Sequence, residues 1–257
     1  MKLINLTTLF TTPLNNTAQI QQTEFKGSGI GTFKYNGFEI PQDNFVSNPL
    51  NSNLDAASIE RIAKSNPRIM QLLKENGISL KVNYDELVAL KKGHLNDTRV
   101  IAAKICSNLS SELKQQINMQ DIQQAAMLHD FGKVLIPKEV LNKKGSLNPE
   151  ERKIMNLHSE LGYELLKNQG YNKNVLNMIK YHHQRADKSG YPEAGDDFRY
   201  NIGLEIIEMA DMYSALTEER CYHKAYAKNE AFAIIQEKVD AGVFSQEVFD
   251  ALKAAYK

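Results

Sequence analysis

Five of the six histidines in this chain of 257 residues fall where they could hold a cation. His129 and Asp130 stand side by side at the end of the apolar run Ala125-Ala126-Met127-Leu128, and Phe131, Gly132 and Lys133 follow. Neighbouring residues on a helix project about 100° apart, so this pair cannot chelate one ion as an i, i+4 pair would. Both can reach an ion at a helix end, and the carboxylate has two oxygens with which to bridge two ions. Alone, the pair is equally what a helix C-terminus looks like, with an imidazolium offsetting the macrodipole and an Asp entering a turn.

The chain beyond it tips the balance. His158 lies on a face otherwise built from Ile154, Leu161 and Leu165. One such histidine is more often a hydrogen-bonded core residue than a ligand. His182 and His183 then stand together at the end of another helical run, and Asp211 shares a packing face with Ile207, Ser214 and Ala215. Burying an unpaired carboxylate costs several kcal/mol, and a metal ion removes that cost. His94, opening an earlier helix, supplies a fifth imidazole. Five His and two Asp can satisfy two ions and still leave positions for water. A nitrogen-and-oxygen set suits iron, manganese or zinc better than calcium or magnesium. The lack of thiolates argues against a structural zinc site.

Helices must position these side chains, and the pattern supplies them. From Ser58 the apolar period is helical, with a break at Pro67 and an end at Gly77. Asn83 opens a capped helix with Glu86 three residues on. Residues 94–109 continue the period. Asp121-Ile122-Gln123-Gln124 reads as a capping box launching the helix that ends at His129, with Gly132 as its breaker. Asn148-Pro149-Glu150-Glu151 gives an N-cap, a proline at N1 and two acids in the first turn, for a helix running through His158 toward Gly170. Further helices are expected over 174–183, 202–216, 230–239 and 246–255. No period-2 strand of useful length interrupts them, so the body is all-α. Residues 1–54 are rich in Thr, Asn, Gln and Gly. They read as a flexible or irregular leader, although 32–40 could form a hairpin about Asn36-Gly37.

Lys plus Arg and Asp plus Glu number 31 each. With no net field to attract a nucleic-acid polymer or an acidic membrane, any phosphate binding must be local. No apolar stretch approaches the ~20 residues of a membrane span. Cys106 and Cys221 lack any paired spacing and read as free thiols of a reducing cytoplasm, the expected location.

His129-Asp130-Phe131-Gly132-Lys133 resembles the HD(x)GK motif of HD-superfamily metal-dependent phosphohydrolases. The run His182-His183-Gln184-Arg185-Ala186-Asp187-Lys188-Ser189-Gly190-Tyr191-Pro192 is similar to the HHExxDGxGYP signature of the HD-GYP subfamily. Asp211 and its surroundings, followed by Arg220-Cys221-Tyr222, resemble VADxxDALTxxRPY. The likeness runs from residue 83 to the C-terminus. It implies an all-α HD-superfamily helical bundle of the HD-GYP type, with 1–54 as leader, 55–82 as a helical connector and 83–257 as the phosphohydrolase domain.

The same resemblance implies a bacterial signalling enzyme that opens cyclic di-GMP to linear pGpG and on to GMP at a centre of two divalent transition ions. Iron or manganese come first as the metal, and zinc after them. The implied ligands are His94, His129, Asp130, His158, His182, His183 and Asp211, with Asp130 as the bridging carboxylate. Lys133, Tyr191, Arg220 and Tyr222 would face the dinucleotide. The pattern departs at Leu90, where trinuclear members carry Glu, and at Gln184, Lys188 and Cys221. An interaction module that keeps the site without turnover stays open, as does an HD phosphohydrolase for another cyclic nucleotide. So does a homodimer.

Overall fold

In the computed structural model, residues 32–35, 38–41, 54–92, 94–218 and 225–257 are described, with the side chains of 32–41 and 91–96 excepted. Two compact units divide the chain, 1–47 and 48–257. In the first, β1 (Thr32–Tyr35) and β2 (Phe38–Pro41) pair antiparallel with Thr32 opposite Pro41 and Tyr35 opposite Phe38. The hairpin reading of this stretch is therefore the one realised, while the rest of the expected leader lies outside the described residues, save Leu54, which is buried in the core of the second unit.

The second unit is helical throughout its described residues. α1 (Ala56–Ser65) and α2 (Pro67–Glu75) are separated by Asn66, whose side chain caps α2 by accepting from Arg68 and Ile69 N–H. Both pack against α8 (Pro149–Leu166), so the expected connector is part of the packed unit. α3 (Tyr84–Lys92) and α4 (His94–Asn108) follow. The short α5 (Ser111–Gln115) and α7 (Lys138–Leu141) were not legible from periodicity, because four or five residues hold barely one turn.

α6 (Met119–Leu128) corrects one expectation. Its cap is Asn118, whose Oδ1 accepts from Gln120 and Asp121 N–H at 3.0 and 3.2 Å. Asp121 instead receives Asn172 Nδ2 at 2.7 Å and so ties α6 to the start of α9 (Lys173–Tyr181). The α8 capping box forms as read: Glu151 N–H donates to Asn148 Oδ1 and Asn148 N–H to Glu151 Oε2, both at 2.8 Å. Caps of this kind contribute about 1 kcal/mol each.

α10 (Ile202–Thr217) crosses α4, α6 and α9, while α11 (Lys228–Asp240) and α12 (Gln246–Ala255) close the far side. The core is a continuous apolar cluster reaching from Leu54 to Leu252. Among the described residues, no helix is long and apolar enough to cross a membrane. Cys106 is a buried free thiol, and Cys221 lies outside the described residues.

Candidate metal centre

α6 ends at Leu128, one residue before the His-Asp pair, and Phe131–Leu135 form a 3-10 turn rather than a break imposed by Gly132. The glycine is needed for a different reason. A Cβ built on Gly132 would lie 1.9 Å from the His158 carbonyl oxygen and 2.5 Å from Gly162 N. The turn carrying Asp130 therefore lies directly on the α8 backbone, at the residues that present His158. Gly162 completes this close approach from the α8 side.

Three imidazoles are oriented by one device. His129 Nδ1 meets the Ala126 carbonyl at 2.7 Å, His158 Nδ1 meets Met155 at 2.7 Å, and His182 Nδ1 meets Ile179 at 2.8 Å. A carbonyl oxygen only accepts, so each Nδ1 carries the proton and donates it. In its neutral form each ring then presents a lone pair at Nε2, and at His129 a metal ion would have to displace the proton that Asp130 and Asp211 favour there. His158 Nε2 and His182 Nε2 stand 3.1 Å apart, and with both Nδ1 atoms protonated that contact sets lone pair against lone pair. His129 Nε2 is buried with no well-aligned hydrogen-bond partner. This convergence of buried electron pairs calls for a cation.

The carboxylates complete it. Asp130, 3% exposed, directs Oδ2 toward His129 Nε2 at 3.3 Å and Oδ1 toward His158 Nε2 at 3.4 Å. Its two oxygens thus serve two different imidazoles, the disposition a bridging ligand needs. Asp211 Oδ1 lies 3.7 Å from His129 Nε2. Ligand-capable atoms of His158, His182 and His183 fall within 4.8 Å of one another, as do those of His129, Asp130 and His182. The two groups share His182.

Charge follows the same geometry. Burial opposes ionisation of Asp130, but Lys133, whose Nζ donates to Oδ2 at 2.6 Å, and then His129 hold its carboxyl well below the usual range. Burial likewise opposes charge on His129, yet Asp130 and Asp211 lift its imidazole to about 10. Burial takes His158 down to about 4 and holds His182 and His183 well below the ordinary imidazole value. Metal ligands must be unprotonated, and these three rings already are.

The loop after α9 brings the aromatic platform. Tyr191 N–H donates to the His183 carbonyl at 3.1 Å, and the Tyr191 ring stacks on His183 with centroids 4.6 Å apart. Gly190 makes that return feasible, since a Cβ there would meet the His183 oxygen at 2.0 Å. Gln184, 2% exposed and standing where the motif has Glu, clamps the turn. Its Oε1 accepts from Arg185 and Gly190 N–H at 2.9 and 2.7 Å, and its Nε2 donates to the Pro192 carbonyl at 2.7 Å. A carboxylate could not make the last of these bonds. Further along, Asp197 accepts from Tyr181 Oη and Lys180 Nζ, both at 2.6 Å. Asn177 also exchanges hydrogen bonds with Arg199 N–H and C=O.

The structure thus gathers His129, Asp130, His158, His182, His183 and Asp211, with Lys133 and Tyr191 beside them. His94 opens α4, but its side chain lies outside the described residues, as do Arg220 and Tyr222. Leu90, in the place of the third-metal Glu, is buried in the apolar core. Sequence reasoning missed the part played by Gln184, because a buried amide clamp has no periodic signature.

A model of the HD domain family matches residues 81–248. The chain is 32% identical over 151 residues to the 3'3'-cGAMP-specific phosphodiesterase 1 of Vibrio cholerae, covering 58% of this chain and 35% of that protein. It is 34% identical over 152 residues to the cyclic di-GMP phosphodiesterase of Thermotoga maritima, covering 56% and 40%. To the cyclic di-GMP phosphodiesterase response regulator RpfG of Xanthomonas campestris it is 33% identical over 137 residues, covering 50% and 36%. The chain therefore spans two-fifths or less of the length of these curated relatives.

Proposed function

Because this chain belongs to the HD domain family, we propose that it is a metal-dependent cyclic dinucleotide phosphodiesterase that opens cyclic di-GMP to linear pGpG and then to GMP. One observation carries the reading. Buried imidazoles with their Nδ1 protons given to backbone carbonyls turn their Nε2 lone pairs onto the two oxygens of one carboxylate. The donor set fits two divalent transition ions. His158, His182 and His183 would hold one, and His129, Asp130 and Asp211 the other. Asp130, with one oxygen toward His129 and the other toward His158, could serve both, with His94 as a further ligand. Iron or manganese suits this set, and zinc after them. The buried Leu90 removes the carboxylate of a third site.

Two such ions, when bound, lower the pKa of water toward ~7 and stabilise the attacking and leaving oxygens of an in-line displacement. The protein's own groups do the rest. Lys133 neutralises a non-bridging phosphate oxygen as a point charge, and its grip on Asp130 keeps that carboxylate ionised. Tyr191, braced on His183, offers a ring on which a base can stack. Gln184 fixes the turn, so this platform is set before substrate arrives.

The test is direct. Purified protein loaded with manganese or iron(II) is incubated with cyclic di-GMP and the products are separated by chromatography. Linear pGpG followed by GMP is expected. No product above that of an EDTA-treated sample would overturn the proposal.

A further inference from the structure

α8 carries His158 on one face and is held from the reverse. His158, Leu161, Gly162 and Leu165 follow the i, i+3, i+4, i+7 spacing of a single face, and all four are buried. Glu160 lies about 200° round the helix from His158, and Glu164 follows it at i+4 on that reverse side. On the first face the turn bearing Asp130 rests on the α8 backbone through Gly132. Against the second lies the start of α2. Arg68 Nε and Nη2 reach Glu160 Oε1 at 2.9 and 2.8 Å. Asn66 Nδ2 donates to Glu164 Oε2 at 2.8 Å and to the Glu164 carbonyl at 3.2 Å.

Solvent decides which of these contacts holds the helix. The Arg68 side chain is 42% exposed, and ion pairs in water contribute little. Glu164 is buried, and its Oε2 also takes Lys167 Nζ at 2.6 Å. A donor lost from a buried carboxylate is costly, so Asn66 is the stronger tether. The same side chain caps α2, since Oδ1 accepts from Arg68 and Ile69 N–H, while the Asn66 N–H closes α1 on the Ala63 carbonyl. The corner it forms is itself packed, with Ile59, Ala63, Ile69 and Leu73 buried. α8 is therefore gripped between this corner and the Gly132 turn.

On the premise that His158 is a metal ligand, as in the function proposed for this chain, we propose that the connector α1–α2 sets the metal affinity of the centre, with Asn66 as its positioning residue. Asn66 acts through α8. With the tether closed, His158 Nε2 stands 3.1 Å from His182 Nε2 and 3.4 Å from Asp130 Oδ1. Metal–ligand distances tolerate about 0.2 Å. A roll of α8 too small to unfold the bundle is thus enough to spoil the ligand set.

Asn66→Asp is the test. A carboxylate caps α2 as well as the amide does, but it has no donor and meets Glu164 with like charge. The Lys167 ammonium tempers that repulsion, so the chain still folds. Manganese dissociation constants, thermal melts and, on metal-free protein, NMR signals of the His158 ring are measured on the full chain. The variants are wild type, Asn66→Asp, and Asn66→Asp combined with Glu164→Gln, which restores a donor across the gap with amide and carboxylate exchanged. Asn66→Asp should weaken manganese binding by about fivefold or more and shift the His158 signals, and the double variant should recover both. Wild-type manganese affinity in Asn66→Asp, whatever its Tm, would overturn the proposal and leave Asn66 a cap and packing residue. A double variant that binds manganese no better than the single one would overturn it too. If the wild type binds no manganese, the metal-centre reading is what fails, and unshifted His158 signals in Asn66→Asp then overturn the positioning role separately.

Discussion

Gly132→Ala is the sharpest probe of how the centre is assembled. The added methyl would sit 1.9 Å from the His158 carbonyl oxygen, where ordinary contact begins at 3.4 Å, so the turn and α8 must part by about 1.5 Å. Both obstacles are backbone, and no side chain can swing away. That movement separates Asp130 from His158, now 3.4 Å apart, whereas metal–ligand distances tolerate about 0.2 Å. Overpacking of this kind costs about 3 kcal/mol, or roughly 6–12 °C in Tm for a chain of this size. Metal affinity should fall by 10²-fold or more, and activity with it. Gly162→Ala is the internal control. Its Cβ would meet Gly132 N at 3.1 Å and Ile179 Cγ2 at 3.6 Å, which a few tenths of an ångström relieve. Alanine also returns about 1 kcal/mol of helix propensity within α8. Dialysis against a fixed metal concentration, metal analysis and thermal melts on both variants are the assay. Full wild-type metal affinity in Gly132→Ala, or equal losses in the two variants, would refute the close-approach argument.

Asp130→Ala should abolish turnover and lower metal content, because it removes oxygens facing two imidazoles; full metal with full activity would exclude a bridging role. Lys133→Met should leave metal stoichiometry intact while cutting kcat/KM by roughly 10²-fold, measured on the same preparation, and normal kinetics would exclude the phosphate role. Metal analysis of the wild type should return about two ions per chain, since Leu90 offers no oxygen; a reproducible three would contradict this. Lys188 holds a left-handed conformation, φ +63°, at a cost of about 1–2 kcal/mol. Lys188→Gly should thus stabilise the fold by roughly 0.5–1 kcal/mol after glycine's own entropic penalty, visible as a small rise in Tm. A fall would show that the Lys188 side chain makes a compensating contact.

The helices that carry the centre were legible because each has a local signature. Asn148-Pro149 with Glu151 announces α8, and an apolar period ending in His182-His183 announces α9. The ordered His and Asp residues were legible for the same reason: chemistry of this kind needs specific residue types, and those survive in a string. What the string does not hold is non-local. Asn118 took the cap from Asp121 because Asn172 claimed the Asp121 carboxylate from another helix. Gly132 reads as a helix breaker locally, while its real constraint lies on α8, thirty residues away. The histidine tautomers depend on carbonyls at i−3, which every helical residue has, so no residue type marks them.

The clamped turn after α9 has a mechanical consequence. Gln184 ties Tyr191 and Pro192 back to the end of α9, and Asp197 and Asn177 fasten the following residues to the same helix. His182 and His183 sit on that helix end too. Platform and ligands therefore move as one rigid body, and Tyr191 cannot swing as an independent lid. A dinucleotide that stacks on the ring also steadies the imidazoles, and ions that fix the imidazoles steady the ring. By thermodynamic reciprocity the two affinities are then coupled by the same factor in both directions. The dissociation constant for manganese should tighten when nucleotide is present, by as much as the constant for nucleotide tightens when manganese is present.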